Sequence, residues 1–510
     1  MLAWTIYSSF IGAALLTLLP ATNARAARQV ALLTAVVGLL LGVAACLQPQ
    51  AGVLHTVVRV PWLPRLGIEY HLAADGISLT LVLLTGIAAV VGILFSWNIE
   101  HRAKEFFALY LTLIAGVYGV FLSFDLFLFL VFYELAIIPK YFLIAIWGST
   151  RREYGAMKLA LYSFVGSAMV LVGVIAAYAV AGAKTMNIVE LANYPFPRGF
   201  EMWAFPLVFI GFGILAGLWP FHTWAPTGHV AAPTAAPMVL AGVVMKLGAY
   251  GCLRVAMTLF AHGMDPWGFR VLGLDSWREV LSWLAVLGIV YGAMVALVQK
   301  DFKFVIGYSS VSHMGFVILG LLTLNGFGLN GAVLQMFSHG IIAGLLFGVV
   351  GRMVYDRTHT RNLLELNQLN LNQALPFAAV VFTLASVASM GLPGFSGFVA
   401  ELQVLIGAWQ AFPTLAVLAG VGVVIGVAYA MRALQLAFFG GWSEVTLAGP
   451  APVAATQEPF PPISVPERIG AVILLATSLL VGLYPQVLLN MIEQSLQPPL
   501  FEGFSRGFMP

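Results

Sequence analysis

The sequence predicts an all-α polytopic membrane protein of about fourteen spanning helices. Three observations carry that prediction. Only 24 Lys and Arg and 21 Asp and Glu occur among 510 residues, well below the roughly one charge in four of an ordinary soluble domain. Hydrophobic side chains make up 61% of the chain, more than a water-facing molecule could hide. The apolar runs extend to about 20 residues, the length of a membrane helix rather than of a porin strand of about 10 with alternating polarity. The net charge of +3 is small and scattered, so nucleic acid is not an expected partner. Two cysteines, Cys46 and Cys252, each within or beside an apolar run, are too few to ligate an iron–sulfur cluster. Metal-, flavin- and haem-dependent redox chemistry is therefore not expected within this chain.

Cut at its polar and Gly/Pro-rich breaks, the sequence has spans near residues 2–20, 30–46, 76–96, 106–123, 125–147, 156–181, 204–224, 236–258, 281–298, 304–323, 328–350, 374–408, 414–438 and 470–489. The first lacks the basic leader of a cleaved signal, its positive charges Arg25 and Arg28 coming after the apolar run. It reads as a retained helix with its N-terminus outside. Threading the remaining spans collects Arg102, Lys104, Arg151, Arg152, Lys300, Lys303, Arg352, Arg357, Arg361 and Arg468 on the side of Arg25. Arg59, Arg65, Lys184, Arg198, Arg270 and Arg278 fall opposite. The asymmetry predicts both termini on the outer face. The span at 374–408 is too long to cross straight and contains Met390-Gly391-Leu392-Pro393-Gly394, which should break it. Most linkers are short. The exception, about 440–468, is proline-rich and reads as an ordered surface strap. No phosphate loop or dinucleotide fingerprint occurs, and the small-residue pairs Gly213/Gly217 and Gly422/Gly426 read as helix-packing contacts.

Against this background the intramembrane charges stand out, because each costs at least about 2.5–3.5 kcal/mol near the bilayer centre. Glu134 is central in its span and Lys140 follows six residues later. Six helical residues rise about 9 Å and turn about 600°, so the two do not share a face. Direct contact would need a distortion at Pro139 or a bridging water. The plain alternatives are a carboxylate that holds helices together and a lysine that reaches back to the basic face. Lys246 lies mid-span, too far from either end for that, and desolvation favours its neutral amine. Lys158 stands near the start of its helix, where it could also be a surface anchor. His313 and His339 occupy consecutive spans and suggest a proton relay, since imidazole exchanges protons near neutral pH. Glu401, beyond the Pro393 break, completes the set.

Broken helices support the same reading. Leu218 to Pro226, with Pro220, His222 and Pro226, interrupts the seventh span, and Gly391 to Gly397 interrupts the twelfth. Unwound backbone at membrane depth survives only where protein buries it or it lines a watery cavity. Two such breaks five helices apart suggest two repeats, as in many ion transporters. Moving one charge against about 100 mV costs about 2.3 kcal/mol, and one pKa unit is worth about 1.4 kcal/mol. A swing of two or three units at a buried lysine or glutamate therefore covers a typical membrane potential. His222 and His229 have the residue type of a metal pair, but Pro226 lies between them and no Cys or carboxylate is near. No metal site is expected.

Several segments carry a resemblance. They are Tyr70 to Leu79 (YHLAADGISL), Tyr133-Glu134-Leu135 through Pro139 to Tyr141–Ile144, Pro220 to Trp224 (PFHTW), Ala232-Pro233-Thr234 and Lys246-Leu247-Gly248. Further ones are Asp301-Phe302-Lys303, Ser312-His313-Met314-Gly315, Phe337-Ser338-His339-Gly340, Tyr355 to Arg361 (YDRTHTR) and Met390 to Gly394. Through nearly its whole length the chain resembles the M-type antiporter-like membrane subunit of respiratory complex I, the NADH:quinone oxidoreductase, and its cyanobacterial and chloroplast relatives. The resemblance implies fourteen transmembrane helices, two inverted five-helix repeats with helices 7 and 12 broken, and a chain of buried ionisable residues matched here by Glu134, Lys246, His313, His339 and Glu401. With Lys140 and Lys158 added from the residues themselves, the expected proton path is Glu134, Lys140, Lys158, Lys246, His313, His339 and Glu401. It divides the chain into helices 1–3 (residues 1–105), a first repeat (106–258), a second repeat (259–438), and a cytoplasmic linker, helix 14 and outer tail (439–510). It implies a bacterial inner-membrane location and neighbouring antiporter-like subunits. FMN, iron–sulfur clusters and quinone would belong to partner subunits, with no redox centre in this chain.

One neighbourhood departs from the family pattern. Leu215 occupies the place of the family's seventh-helix lysine, the expected partner of Glu134, while Thr227 and Ala231 stand where Asp and Glu are usual. Lys140 is unusual in turn, since an apolar residue is typical there. Either Lys140 takes over part of the missing lysine's task or the first half-channel is altered. The function implied is proton translocation within a redox-driven NAD(P)H or ferredoxin:quinone oxidoreductase. The alternatives are a cation/proton antiporter subunit, a non-pumping spacer, or an altered, weakly pumping module of a hydrogenase or carbon-uptake complex.

Overall fold

A computed structural model of the protein describes residues 1–20, 22–48, 52–233, 235–268, 270, 273–440 and 460–496. Most of the strap (441–459), the outer tail (497–510) and Thr234 of one motif lie outside the described residues. Helices α1 (Ala3–Leu18) and α2 (Ala24–Cys46) are followed by strands β1 (His55–Leu63) and β2 (Ile68–Ala74). Then come α3 (Gly76–Phe95), α4 (Ala103–Leu122), α5 (Leu126–Trp147), α6 (Arg152–Val180), the short α7 (Ile188–Ala192), α8 (Arg198–Ala216) and α9 (Trp224–Ala231). The chain continues as α10 (Ala236–Met257), α11 (Trp277–Val298), α12 (Phe302–Leu322) and α13 (Gly326–Thr358). It ends as α14 (Pro376–Ser389), α15 (Ser396–Ala411), α16 (Pro413–Phe438), α17 (Val465–Leu483) and α18 (Gln486–Ser495).

Among the described residues, twelve helices are long and apolar enough to cross a membrane, with α8 and α9 counted together, while α1 and α14 are shorter apolar helices. This is a helical integral membrane protein. Side-chain oxygens of Asp75, Asp125, Ser276, Asp301 and Asn325 cap the starts of α3, α5, α11, α12 and α13, satisfying amides that have no intrahelical partner. Helices apolar on every side should be enclosed by others. Accordingly α3, α10, α12 and α13 are almost wholly buried and form the centre, while α2, α16 and α17 lie at the periphery.

The helical reading missed the hairpin. β1 and β2 pair antiparallel, with Val58 opposite Leu72 and Val60 opposite Tyr70, and Gly67 turns the chain at φ +64°. The clustered Val57, Val58 and Val60 before Pro61 and Pro64 were the available signal. His71 of β2 is buried beside Asn187 at 3.0 Å, and burial pushes its ring below the ordinary histidine pKa. The last predicted span, 470–489, is also corrected. α17 stops at Leu483, and after Tyr484-Pro485 the separate helix α18 begins, because proline cannot continue the ladder of the preceding helix.

Two buried ion pairs tie distant elements. Arg254 of α10 reaches Asp75 at the start of α3 at 2.6 Å, both side chains enclosed. At the other end of the bundle, Arg357 of α13 binds Glu467 of α17 at 2.8 Å and donates to the carbonyls of Pro461 and Pro462. That contact fixes the described end of the strap.

Candidate functional site

α10 carries Lys246 to the middle of the bundle. Its central turn, Met245–Gly251, is α-helical and lies between two π-helical stretches, Leu240–Val244 and Cys252–Met257. Such widened turns recur at functional sites. The Lys246 side chain is fully buried and donates to the Ala241 carbonyl in the first stretch. Its Nζ also lies 2.8 Å from Nδ1 of His339 on α13. Two glycines permit this approach. A Cβ on Gly340 would stand 2.6 Å from the Gly242 carbonyl oxygen, and one on Gly242 would stand 3.1 Å from that of Gly340. A larger residue at the crossing would force the helices apart and separate lysine from imidazole.

The line continues through α12 and α15. Nε2 of His339 has no partner among the described residues, and the ring lies 5.5 Å, centre to centre, from His313. His313, His339, Gln335, Ser389 and Glu401 border a void of about 10 Å3, close to the room one water needs. His313 Nδ1 is 2.8 Å from Glu401 Oε1, and its Nε2 is 3.1 Å from Ser389 Oγ. Gln335 donates to the same Glu401 oxygen at 3.1 Å. The predicted break around Pro393 makes this possible: α14 ends at Ser389, Gly391 and Gly394 turn at φ +75° and +102°, and α15 restarts with Glu401 facing inward.

The other break differs from expectation. α8 ends at Ala216, Gly217 turns the chain at φ +86°, and Phe221–Thr223 form a single 3-10 turn after Pro220. Pro226 does not belong to the break. It sits in the first turn of α9, where a helix needs no proline N–H. His222 is buried 5.2 Å from the Tyr291 ring. His229 instead faces Phe347 at 5.4 Å.

The remaining predicted residues do not join the line by hydrogen bonds. Lys158 is half-buried, with Nζ 3.4 Å from Thr227 Oγ1 and close to the Tyr154 and Tyr162 rings. Glu134 is partly exposed on the α5 face of Val131 and Ile138, and no hydrogen bond to its carboxylate occurs among the described residues. α5 runs unbroken through Pro139, and no ion pair within 4 Å joins Glu134 to Lys140. Lys140 does not reach back to the surface: it is 1% exposed, and its Nζ has no hydrogen-bond partner among the described residues. Lys140 lies two turns beyond Tyr133 on one helix face. Tyr133 packs on Phe212 of α8 at 5.5 Å, one turn before the buried Leu215. Lys140 and Leu215 are both buried.

One residue was underrated by sequence reasoning. His229 is fully buried, both ring nitrogens lack a partner among the described residues, and it lies within electrostatic range of Lys246. The signal was a histidine in an otherwise nearly apolar stretch just ahead of the Lys246 span. Weighing it only as a metal ligand missed it.

A helical membrane bundle with two interrupted helices and an ionisable line across its centre defines an antiporter-like membrane protein. The chain belongs to the NADH:quinone oxidoreductase/Mrp antiporter transmembrane family, whose model matches residues 123–426. It is 36% identical to NAD(P)H-quinone oxidoreductase chain 4 3 of a Picosynechococcus species, over 95% of this chain and 90% of that one. It is 35% identical to NADH-quinone oxidoreductase subunit M of Escherichia coli K12, over 96% of each. Its fold is similar to that of a chain in the structure of respiratory complex I from Thermus thermophilus with bound NADH, with TM-score 0.86, 29% identity and 99% of each chain covered.

Proposed function

We propose that this chain is the proton-translocating, antiporter-like subunit of a redox-driven complex I-type NAD(P)H or ferredoxin:quinone oxidoreductase. The observation that carries the reading is the succession Lys246, His339, His313 and Glu401 across the bundle, with one gap, between the two imidazoles, bordered by a void. In this reading Lys246 passes a proton to His339 Nδ1, and His339 releases one from Nε2 toward the void. A single water there relays it to His313, and His313 delivers it to Glu401. Imidazole suits the middle stations because its two nitrogens can accept on one side and donate on the other.

The reading extends to the whole chain: fourteen crossings, two inverted repeats at residues 106–258 and 259–438, the bacterial inner membrane, and both termini outside. The basic residues gathered on the opposite face support that orientation. The Glu134, Lys158 and Lys140 positions form the entry side. FMN, iron–sulfur clusters and quinone belong to partner subunits, and this chain holds no redox centre. Purification under mild detergent tests the assignment. Flavin- and iron–sulfur-containing partners are the expected companions, whereas small membrane subunits alone would mean a cation/proton antiporter.

Lys140 is the basic group of the first half in place of the residue at Leu215. Lys140→Met removes the charge and leaves a side chain of similar length. The expected outcome is an assembled complex with fewer protons moved per electron pair. Unchanged coupling and turnover would show that Lys140 takes no part.

A further inference from the structure

Beyond Glu401, polar side chains continue between α13 and α15 toward the face that carries α18. Gln335, 2% exposed, spends its amide N–H on Glu401, and its Oε1 is buried with no donor among the described residues. One turn along α13, Gly331 lets α15 approach: a Cβ there would lie 2.9 Å from Cβ of Gln403. Gln403 Oε1 is likewise buried with no donor among the described residues. Next to Gly331, Asn330 is 8% exposed, and its Oδ1 also lacks a donor. Its Nδ2, however, donates at 3.3 Å to Oε1 of Glu493, an exposed residue of α18.

Three amide oxygens in succession thus need donors that the surrounding protein does not offer. Buried carbonyl oxygens are rarely left unpaired, and the donor small enough to reach such sites is water. We propose that this row is a hydrated outlet from Glu401, with Glu493 as its surface carboxylate, an inference that rests on the proton-translocating role above. Glu401 gives up its proton to the first water of the row. The waters pass it along by successive transfer, and the Glu493 carboxylate accepts it and releases it to bulk solvent. The amides hold the waters in file and exchange no proton. Glu493 has a place in this scheme that a glutamine cannot fill, although glutamine would keep an acceptor for Asn330.

The test uses the assembled complex in sealed vesicles, with protons released per electron pair and complex abundance measured together. Glu493→Gln is expected to lose proton release, Glu493→Asp to retain it, and Gln403→Leu, which leaves α18 untouched, to lose it as well. Normal release in both Glu493→Gln and Gln403→Leu, with Lys246→Ala defective in the same preparation, would overturn the outlet and leave the translocating role standing. Normal release in all three, Lys246→Ala included, would remove that role and the outlet with it.

Discussion

Lys246→Ala is expected to assemble, to support electron transfer, and to lose most of its proton translocation. The side chain is fully buried, and its partners are the Ala241 carbonyl and His339. Alanine therefore strands no buried charge, and assembly should survive. The lost step should be slowed at least about 100-fold, the lower end of the range for a positioned acid–base group. Lys246→Arg separates two roles that alanine removes together. Guanidinium keeps the positive charge but does not release a proton in proteins. If Lys246 carries protons, arginine is as defective as alanine in vesicle acidification driven by the electron donor. Pumping restored by arginine would instead make Lys246 a fixed charge that only orients His339.

Asp75→Ala should prevent the protein from accumulating. Arg254 contacts both Asp75 oxygens, at 2.8 and 2.6 Å, with the two side chains 0% and 1% exposed. Its Nε donates to Tyr250 at 3.2 Å, and the Tyr250 hydroxyl lies near Ser78 Oγ and the Phe121 carbonyl. Removing one member of a buried pair leaves an uncompensated charge and costs about 3–5 kcal/mol. Asp75 also accepts the Ser78 amide at the start of α3, a cap worth about 1 kcal/mol. Together these approach the whole stability margin of many folded domains, about 5–15 kcal/mol. Replacing both members, as Asp75→Leu with Arg254→Met, removes the stranded charge and should recover much of the loss. The abundance of intact complex on a native gel, with its midpoint of thermal aggregation, checks both. A double variant no better than the single one would mean that the pair contributes more than mutual neutralisation.

Much of this architecture is legible in one dimension because bilayer constraints act locally. A run of about 20 apolar residues must span, and clustered glycine and proline mark where a helix can break, provided protein or a watery cavity takes up the freed backbone groups. Lys246, His313, His339 and Glu401 stand out for the same reason, each being costly where it lies. The hairpin at 55–74 was less legible, since its short strands lie outside the spans and obey no membrane period. His229 escaped notice because a buried imidazole is equally at home in a packed core. Its two unpartnered nitrogens distinguish it, and they are a property of its neighbours. The burial of Lys140 depends in the same way on how α5 packs against α4 and α6.

By itself, the sequence determined that this is a helical membrane protein, that its seventh and twelfth spans break near Pro220 and Pro393, and which buried ionisable residues require an explanation. Those conclusions follow from the transfer cost of each segment, which depends only on the residues within it. Tertiary structure alone decided that Lys246 meets His339 across two facing glycines, that His313 binds Glu401, and that Glu134 has no hydrogen-bonded partner among the described residues. Hydrogen bonds act over about 3 Å, and side chains from separate spans come that close only through the packing of every helix between them.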